Sequence, residues 1–400
     1  MTGLPVTKRG SAEPLFSEPS HTMSADALFI GMMSGTSLDG VDGVLARIAP
    51  NGAMQVQAHA FEAFPVAFKT QLLQLNQSGP DELHRAALAG NGIARHYARV
   101  VQTLLTHTGH APEAITAIGA HGQTVRHRPL EFDAQPDQPA VGYTLQLNNP
   151  ALLAELSGID VVADFRTRDL AAGGQGAPLV PAFHQGIFGK TGCCVAALNI
   201  GGISNLSVLH PNGQVMGWDC GPGNALMDHW CQTHTGEPFD RNGAWAATGQ
   251  ASAALLQSLL SENYLHQPPP KSTGRDLFNP DWLQQHLARF PELSTQAVQA
   301  TLTAFTAQAC IRDVQQHAPN AQSLIVCGGG ALNGQLMALL SQGLPGVAVS
   351  SSEQHGLPPL QVEAAAFAWL AFKAVHREPA SLTSVTGARG ARVLGAIYPR

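Results

Sequence analysis

Residues 27–49, ALFIGMMSGTSLDGVDGVLARIA, place two apolar runs, Leu28–Met33 and Val41–Ile48, on either side of a polar turn of small residues. That pattern reads as a β-hairpin. Residues 195–210, VAALNIGGISNLSVLH, repeat it as strand, Gly-rich turn and strand, and Asn212-Gly213 supplies a further hairpin turn just beyond. The two hairpins lie about 170 residues apart, each heading its own α/β section. Their repetition predicts a duplicated α/β architecture with a cleft between the halves, the alternative being one large α/β sheet.

The intervening segments fit such halves. Helical spacing of apolar residues predicts a helix over 82–107. A short strand, Ala117–Gly119, runs into HGQTVRHRP as a loop, followed by a Pro/Asp-rich loop over 129–140. Asn149 and Pro150 mark a helix start, and a strand at Asp160–Ala163 precedes a Gly-rich loop. In the second section a strand, Gln214–Trp218, ends at Asp219 before CGPGN and a helix, Ala225–His234. Further helices are expected over Val298–Gln316 and Leu360–Val375. The strand Leu324–Val326 leads into GGGALNGQLMALL, a glycine turn opening a helix.

Composition narrows the classes. Charged residues make up 12% of the 400, about half the ~25% usual in soluble domains, while 44% are apolar. Such a chain buries a sizeable core and is neither disordered nor a coiled coil. A net charge of −6 argues against binding duplex nucleic acid. The six cysteines include the adjacent pair Cys193-Cys194 and form no CxxC, which reads as reduced thiols rather than a disulfide framework or zinc knuckle. No apolar run is long enough to span a membrane. Residues 1–25 lack the apolar centre of a signal peptide; they read as a floppy extension, with Met23 an alternative start.

Three small-residue turns carry the chemistry. Ser34-Gly35-Thr36-Ser37-Leu38-Asp39-Gly40 can converge backbone N–H groups on an anion, with Asp39 and Asp42 placed to orient Mg²⁺ through its waters. Asn199-Ile200-Gly201-Gly202-Ile203-Ser204-Asn205 offers the same chemistry from the other half. Gly328-Gly329-Gly330 precedes a helix N-terminus. Each alone is an ordinary turn; together they compose a nucleotide site, although the chain has neither a P-loop nor a dinucleotide fingerprint. Asp219, by position a helix cap or a carboxylate facing the cleft, stands before Gly-Pro-Gly. Trp218 and Trp245 adjoin these motifs as stacking platforms or core. His121 and His127 lack a third partner for a metal, and Arg275 reads as structural.

The runs FIGMMSGTSLDGVDGVLA, GAHGQTVRH, QLNNPALLAELSGIDVVADFRTRDLAAGGQGAPLVPAFH, LNIGGISN, GWDCGPGNALMD, DRNGAWAATGQ, PKSTGR and CGGGALNGQLM resemble, in order, the anhydro-N-acetylmuramic acid kinase family. The resemblance covers the chain from about Phe29 onward. It implies an actin/hexokinase/Hsp70-like fold of two ribonuclease-H-like domains, with ATP in the interdomain cleft. The expected division is 26–164 and 165–387, the tail 388–400 returning to the first domain, each domain holding a mixed five-stranded sheet. The implied reaction turns 1,6-anhydro-N-acetylmuramate, ATP and water into N-acetylmuramate 6-phosphate and ADP, in cytoplasmic peptidoglycan recycling, by a homodimer.

On that resemblance Asp219 takes the general-base position, and Gly35, Thr36, Ser37, Leu38, Asp39, Gly40, Val41 and Asp42 match the ATP-binding stretch. Gly201, Gly202 and Gly328–Gly330 complete the phosphate turns, with Mg²⁺ between the β- and γ-phosphates. Arg168 suits the lactyl carboxylate, since an arginine fork fits it, or else pairs with Asp164 or Asp169. Glu363, Gln123 and Thr124 are the other expected substrate contacts; Glu363 also suits a helix N-terminus. The competing readings are a different sugar kinase on the same fold, an ATP-binding protein of the actin/chaperone type, and a glycosidase.

Overall fold

The computed structural model describes residues 26–35, 38–129, 141–269, 271–274 and 277–400. The 1–25 extension, Thr36, Ser37, Arg275 and most of the 129–140 loop lie outside these residues. The first sheet is built from β1 (Ala27–Ser34), β2 (Gly40–Ile48), β3 (Met54–Ala63), β4 (Ile115–Arg128), β5 (Tyr143–Leu147) and β6 (Val161–Ala163). The second contains β7 (Cys194–Ile200), β8 (Ile203–Leu209), β9 (Val215–Pro222), β10 (Ala321–Cys327) and β11 (Ala348–Ser351); β12 (Ala396–Tyr398) returns to the first.

Both sheets share one topology. β6-β4-β1-β2-β3 matches β11-β10-β7-β8-β9, with two parallel pairs followed by an antiparallel meander. The expected five strands hold for the second sheet. The first has seven, because β5 pairs with β4 and β12 with β6. β4 is also far longer than the expected three residues, running through HGQTVRHR, where pairing with β5 keeps a polar stretch extended.

Period-two alternation along β1 feeds two layers. Leu28, Ile30 and Met32 join Ile93, Tyr97, Val100 and Leu104 of the helix Glu82–Thr108. Phe29 faces the other way, edge-on to Phe372 with centroids 5.7 Å apart. Gly31 and Gly119 let the helix Val362–Val375 lie directly on the sheet: a Cβ at Gly31 would stand 1.9 Å from Ala364 O, and one at Gly119 2.0 Å from Phe367 O. The same helix joins Val180–Phe188 against the inner face of the second sheet, through Val195, Ala197 and Ile325. The outer face packs Leu198, Leu206 and Val208 on Leu302, Phe305 and Cys310 of the helix Thr295–His317. Burial of each such large apolar side chain contributes about 1.5–3 kcal/mol. Helix, sheet, helices, sheet and helix thus form five layers. The helix Val362–Val375, beyond the expected boundary at 164/165, packs on both sheets.

Local signals set the ends. Asn149 accepts from Leu152 N at 3.0 Å, the cap its position predicts. Gly328–Gly330 lead into a short 3₁₀ turn, and the helix Gly334–Gly343 begins only after Asn333, whose side chain caps it at Leu336 N. All six cysteines are free thiols. Among the described residues no helix is long and apolar enough to cross a membrane.

Candidate active site

The turn after β1 is anchored from β4. Gln123, opposite Ser34 in register, accepts from the Ser34 hydroxyl and donates from Nε2 to Gly35 O at 3.2 Å. Only 1% exposed, Gln123 has both ends of its amide occupied in holding the turn. Leu38 and Val41 are core residues, so any contact of theirs with a phosphate runs through the backbone. Asp39 is exposed and pairs with Lys69 at 2.9 Å, while Asp42 meets His59 Nε2 at 3.0 Å. Thr124, on β4, accepts from Gln146 Nε2 at 3.2 Å.

The corresponding turn after β7 is built against two glycine loops. Gly201 O accepts from Asn224 N at 2.7 Å, and Gly202 O from Gly223 N at 2.9 Å and Ala225 N at 3.2 Å. Their carbonyls are therefore committed to the 222–225 loop. A Cβ at Gly223 would stand 2.2 Å from Gly201 O. Gly328, at φ +75°, has room for none, with Asn199 Oδ1 and Ile200 O both 2.6 Å from where it would lie. The structure thus brings Gly201, Gly202 and Gly328–Gly330 together as one floor of small residues.

Glu363 joins the halves. It lies in the first turn of the helix between the sheets, where Asn199 Nδ2 donates to its Oε1 at 3.4 Å. Burial raises its carboxyl pKa, Asp42 adds to the rise, and Arg166 and the Asn199 bond oppose it. Glu363 therefore bonds to Asn199 of the second sheet and feels the charge of Asp42 of the first. Arg166 donates from Nε and Nη2 to His121 Nε2, at 3.1 and 3.0 Å, and from Nη1 to Gly176 O at 2.8 Å. Burial lowers its pKa to about 10, so it stays charged at neutral pH; Glu363 works against the fall.

Burial and Arg166 hold His121 well below the usual imidazole range, and it is neutral. With Nε2 accepting from a guanidinium, its lone pair is not open to a cation. Burial and two arginines likewise push His127 to about 4. Among the described residues no group of three or more His, Cys, Asp or Glu is arranged to hold a metal ion.

Asp219 lies inside β9, opposite Asn205, rather than beyond the end of the strand. Its backbone N donates to Lys271 O at 3.2 Å, its carbonyl accepts from Tyr264 Oη at 2.8 Å, and Thr273 N donates to its Oδ2 at 3.0 Å. Among the described residues no hydrogen bond reaches Oδ1. Burial raises its pKa to about 6, with the Thr273 bond and the Lys271 charge holding it lower than burial alone would. Its titration thus falls nearer neutral pH than that of an ordinary aspartate.

Arg168 is exposed on the short helix Thr167–Ala171. Its neighbour Arg166 is the one aimed inward, since residues two apart on a helical turn do not share a face. Trp218 is core, 1% exposed, with Nε1 donating to Asp313 Oδ2 at 2.7 Å. Arg166, Lys271, Tyr264 and Thr273 are thus site neighbours that sequence reasoning missed, and His121, weighed there only as a metal ligand, proves to be the partner of Arg166. The DFRTRD motif and the polar run PKSTGR were visible, but which residues turn inward depends on backbone direction.

Paired sheets of one topology, a small-residue turn after the first strand of each, and a part-buried carboxyl group with a raised pKa fit an α/β enzyme of the kinase class. The model of the family described as anhydro-N-acetylmuramic acid kinase matches residues 27–400. The chain belongs to that family. It is 61% identical over 380 residues to the anhydro-N-acetylmuramic acid kinase of Variovorax paradoxus (strain S110), covering 94% of this chain and 100% of that one. With the Albidiferax ferrireducens (strain ATCC BAA-621 / DSM 15236 / T118) protein of the same name the identity is 54%, over 93% and 99%. Among solved structures, (R)-2-hydroxyglutaryl-CoA dehydratase component A of Acidaminococcus fermentans overlays at a TM-score of 0.47 and 13% identity, covering 87% of this chain and 98% of that one. An overlay at that level carries no inference about the reaction.

Proposed function

We propose that this kinase uses ATP and water to open 1,6-anhydro-N-acetylmuramate, giving N-acetylmuramate 6-phosphate and ADP, with Asp219 as general base. The observation that carries the reading is the Asp219 carboxylate, part-buried and hydrogen-bonded by Thr273 N of the 271–274 segment, with its pKa raised to about 6. In the anhydro-sugar O6 is bridged to C1, so no free hydroxyl awaits phosphorylation. Water attacks C1 and gives its proton to Asp219 Oδ1 as the C1–O6 bond breaks. O6 forms a new bond to the γ-phosphorus, and ADP leaves. The leaving oxygen needs no acid because phosphorus receives it, unlike in glycoside hydrolysis by two carboxylates.

The close packing of Gly328 and Gly330 on Asn199 and Ile200 keeps this floor free of side chains, which leaves its backbone open to a phosphate chain. Backbone N–H groups of Gly35–Asp42, Gly201, Gly202 and Gly328–Gly330 would cradle the phosphates of ATP. A hydrated Mg²⁺ needs only one or two carboxylates. Asp39 and Asp42 are the expected pair; Lys69 stands beside Asp39 and His59 beside Asp42. When bound, the cation would offset charge on the transferring phosphoryl group. Glu363 would accept from the sugar. The reading keeps the expectations of cytoplasmic peptidoglycan recycling and a homodimer.

The test is a coupled ADP-release assay, with and without Mg²⁺. ADP should appear with the anhydro-sugar and not with free N-acetylmuramate. Equal rates with the two sugars, or without either, would overturn the reading. The base must be ionised to act, so kcat/KM should fall about tenfold per pH unit below a limb near pH 6, the value to which burial raises Asp219. A limb near pH 4 would show that the base is an unburied carboxylate.

Arg168→Lys tests the lactyl contact. A point charge cannot replace the arginine fork, so KM for the anhydro-sugar should rise and kcat/KM fall by about 1.5–3 kcal/mol. Unchanged kcat/KM would remove Arg168 from the site and leave Arg166 as the inward-facing guanidinium.

A further inference from the structure

Behind β9 lies a buried ion pair that the reaction scheme does not use. Lys271 Nζ stands 3.5 Å from Asp313 Oδ2, with side chains only 2% and 4% exposed. The same ammonium approaches Leu265 O at 3.4 Å and sits 5.2 Å from the centroid of the Tyr264 ring. Asp313 Oδ2 also accepts from Trp218 Nε1. Burying two charges carries a desolvation cost that simple stability does not explain.

The backbone indicates what the pair holds in place. Lys271 O accepts from Asp219 N, and two residues on Thr273 N donates to Asp219 Oδ2. Tyr264, beneath the Lys271 ammonium, donates to Asp219 O. All three contacts on Asp219 thus come from groups organised around Lys271. The geometry points to Lys271 as a positioning residue: anchored on Asp313, it seats the 271–274 segment against the base and puts a positive charge behind it.

This inference rests on Asp219 being the base. Among the described residues, the charged and titratable groups around Asp219 are Lys271 on its own segment, Tyr264 on the 263–266 turn, Cys220 on β9, and Asp313 on the helix Thr295–His317. His317, on that same helix, faces Lys271, Asp313 and the Trp218 ring, and Cys310 faces Cys220. Lys271 is the cation in this set that directly favours the ionised base.

The experiment compares pH profiles of kcat/KM for the anhydro-sugar in the full chain. Lys271→Met should move the acid limb up by about one pH unit, with ADP affinity, read by calorimetry, unchanged. Lys271→Arg, which keeps the charge, should bring the limb back toward that of the parent. Because Lys271→Met strands a buried carboxylate and can fail to fold, Lys271→Met/Asp313→Asn is made alongside; its amide oxygen still accepts from Trp218. The double variant should move the limb in the same direction, by less, since it also removes the Asp313 charge. A limb within about 0.2 pH units of the parent in the double variant, with Asp219→Asn inactive, would overturn the role of Lys271 alone. If Asp219→Asn turns over normally, the base assignment fails and this inference fails with it.

Discussion

Asp219→Asn is expected to lower kcat for the anhydro-sugar by about 10²–10⁴-fold, the usual cost of removing a general base. The amide keeps the shape of the side chain, and its oxygen can still accept from Thr273 N. It cannot take a proton from water. Nucleotide affinity should survive, because the proposed phosphate floor comes from the turns after β1 and β7 and from Gly328–Gly330. A carboxylate that only capped a helix would behave differently, losing about 1 kcal/mol of stability with near-normal turnover. Turnover within about threefold of the parent would mean that Asp219 is not the base. The acid limb near pH 6 should vanish from whatever activity remains, since the group that produces it is gone.

Gly119→Val is expected to abolish the native packing of the first sheet. The added Cβ would lie 2.0 Å from Phe367 O and 3.0 Å from Ala371 Cβ, against the backbone of a helix rather than a flexible side chain. Overpacking a core typically costs 1–3 kcal/mol when side chains can adjust. Here the helix Val362–Val375 must move as a unit, carrying Glu363 away from Asn199, so a loss of about 4 kcal/mol or more is expected. Thermal unfolding and ADP binding measured together check it. A melting temperature within about 3 °C of the parent would show that the helix does not depend on that close approach. Gly213, at φ +84° in the exposed turn before β9, offers the control. A Cβ there meets no neighbouring atom within 4 Å, so Gly213→Ala should cost only its backbone strain, about 1 kcal/mol.

The helix between the sheets shows why the halves were easier to read than their junction. Its apolar run predicted a closing helix near its true bounds, Val362–Val375. Nothing in that run says that one flank faces Gly31 and Gly119 while another faces Val195 and Ile325. A helix buried on nearly every side has no polar face to orient it. The long β4 was missed for a related reason. HGQTVRHR carries polar side chains in a strand, and only pairing with β5 satisfies its backbone there.

The chain by itself determined what depends on neighbours a few residues away. The two hairpins, the Asn149 cap, the long helix Glu82–Thr108 and the small-residue turns all follow from periodicity, capping and turn chemistry, which act locally. Its position before Gly-Pro-Gly left Asp219 as a helix cap or a cleft carboxylate, and the family resemblance of GWDCGPGN made it the candidate base. Only the tertiary structure decided what that carboxylate is like. Its raised pKa comes from burial inside β9, and its partners arrive from residues 264, 271 and 273. The same holds for the pairing of Lys271 with Asp313, the bond from Asn199 to Glu363, and the inward turn of Arg166 rather than Arg168. Desolvation and charge coupling depend on how closely distant segments pack, and local sequence patterns hold no record of those distances.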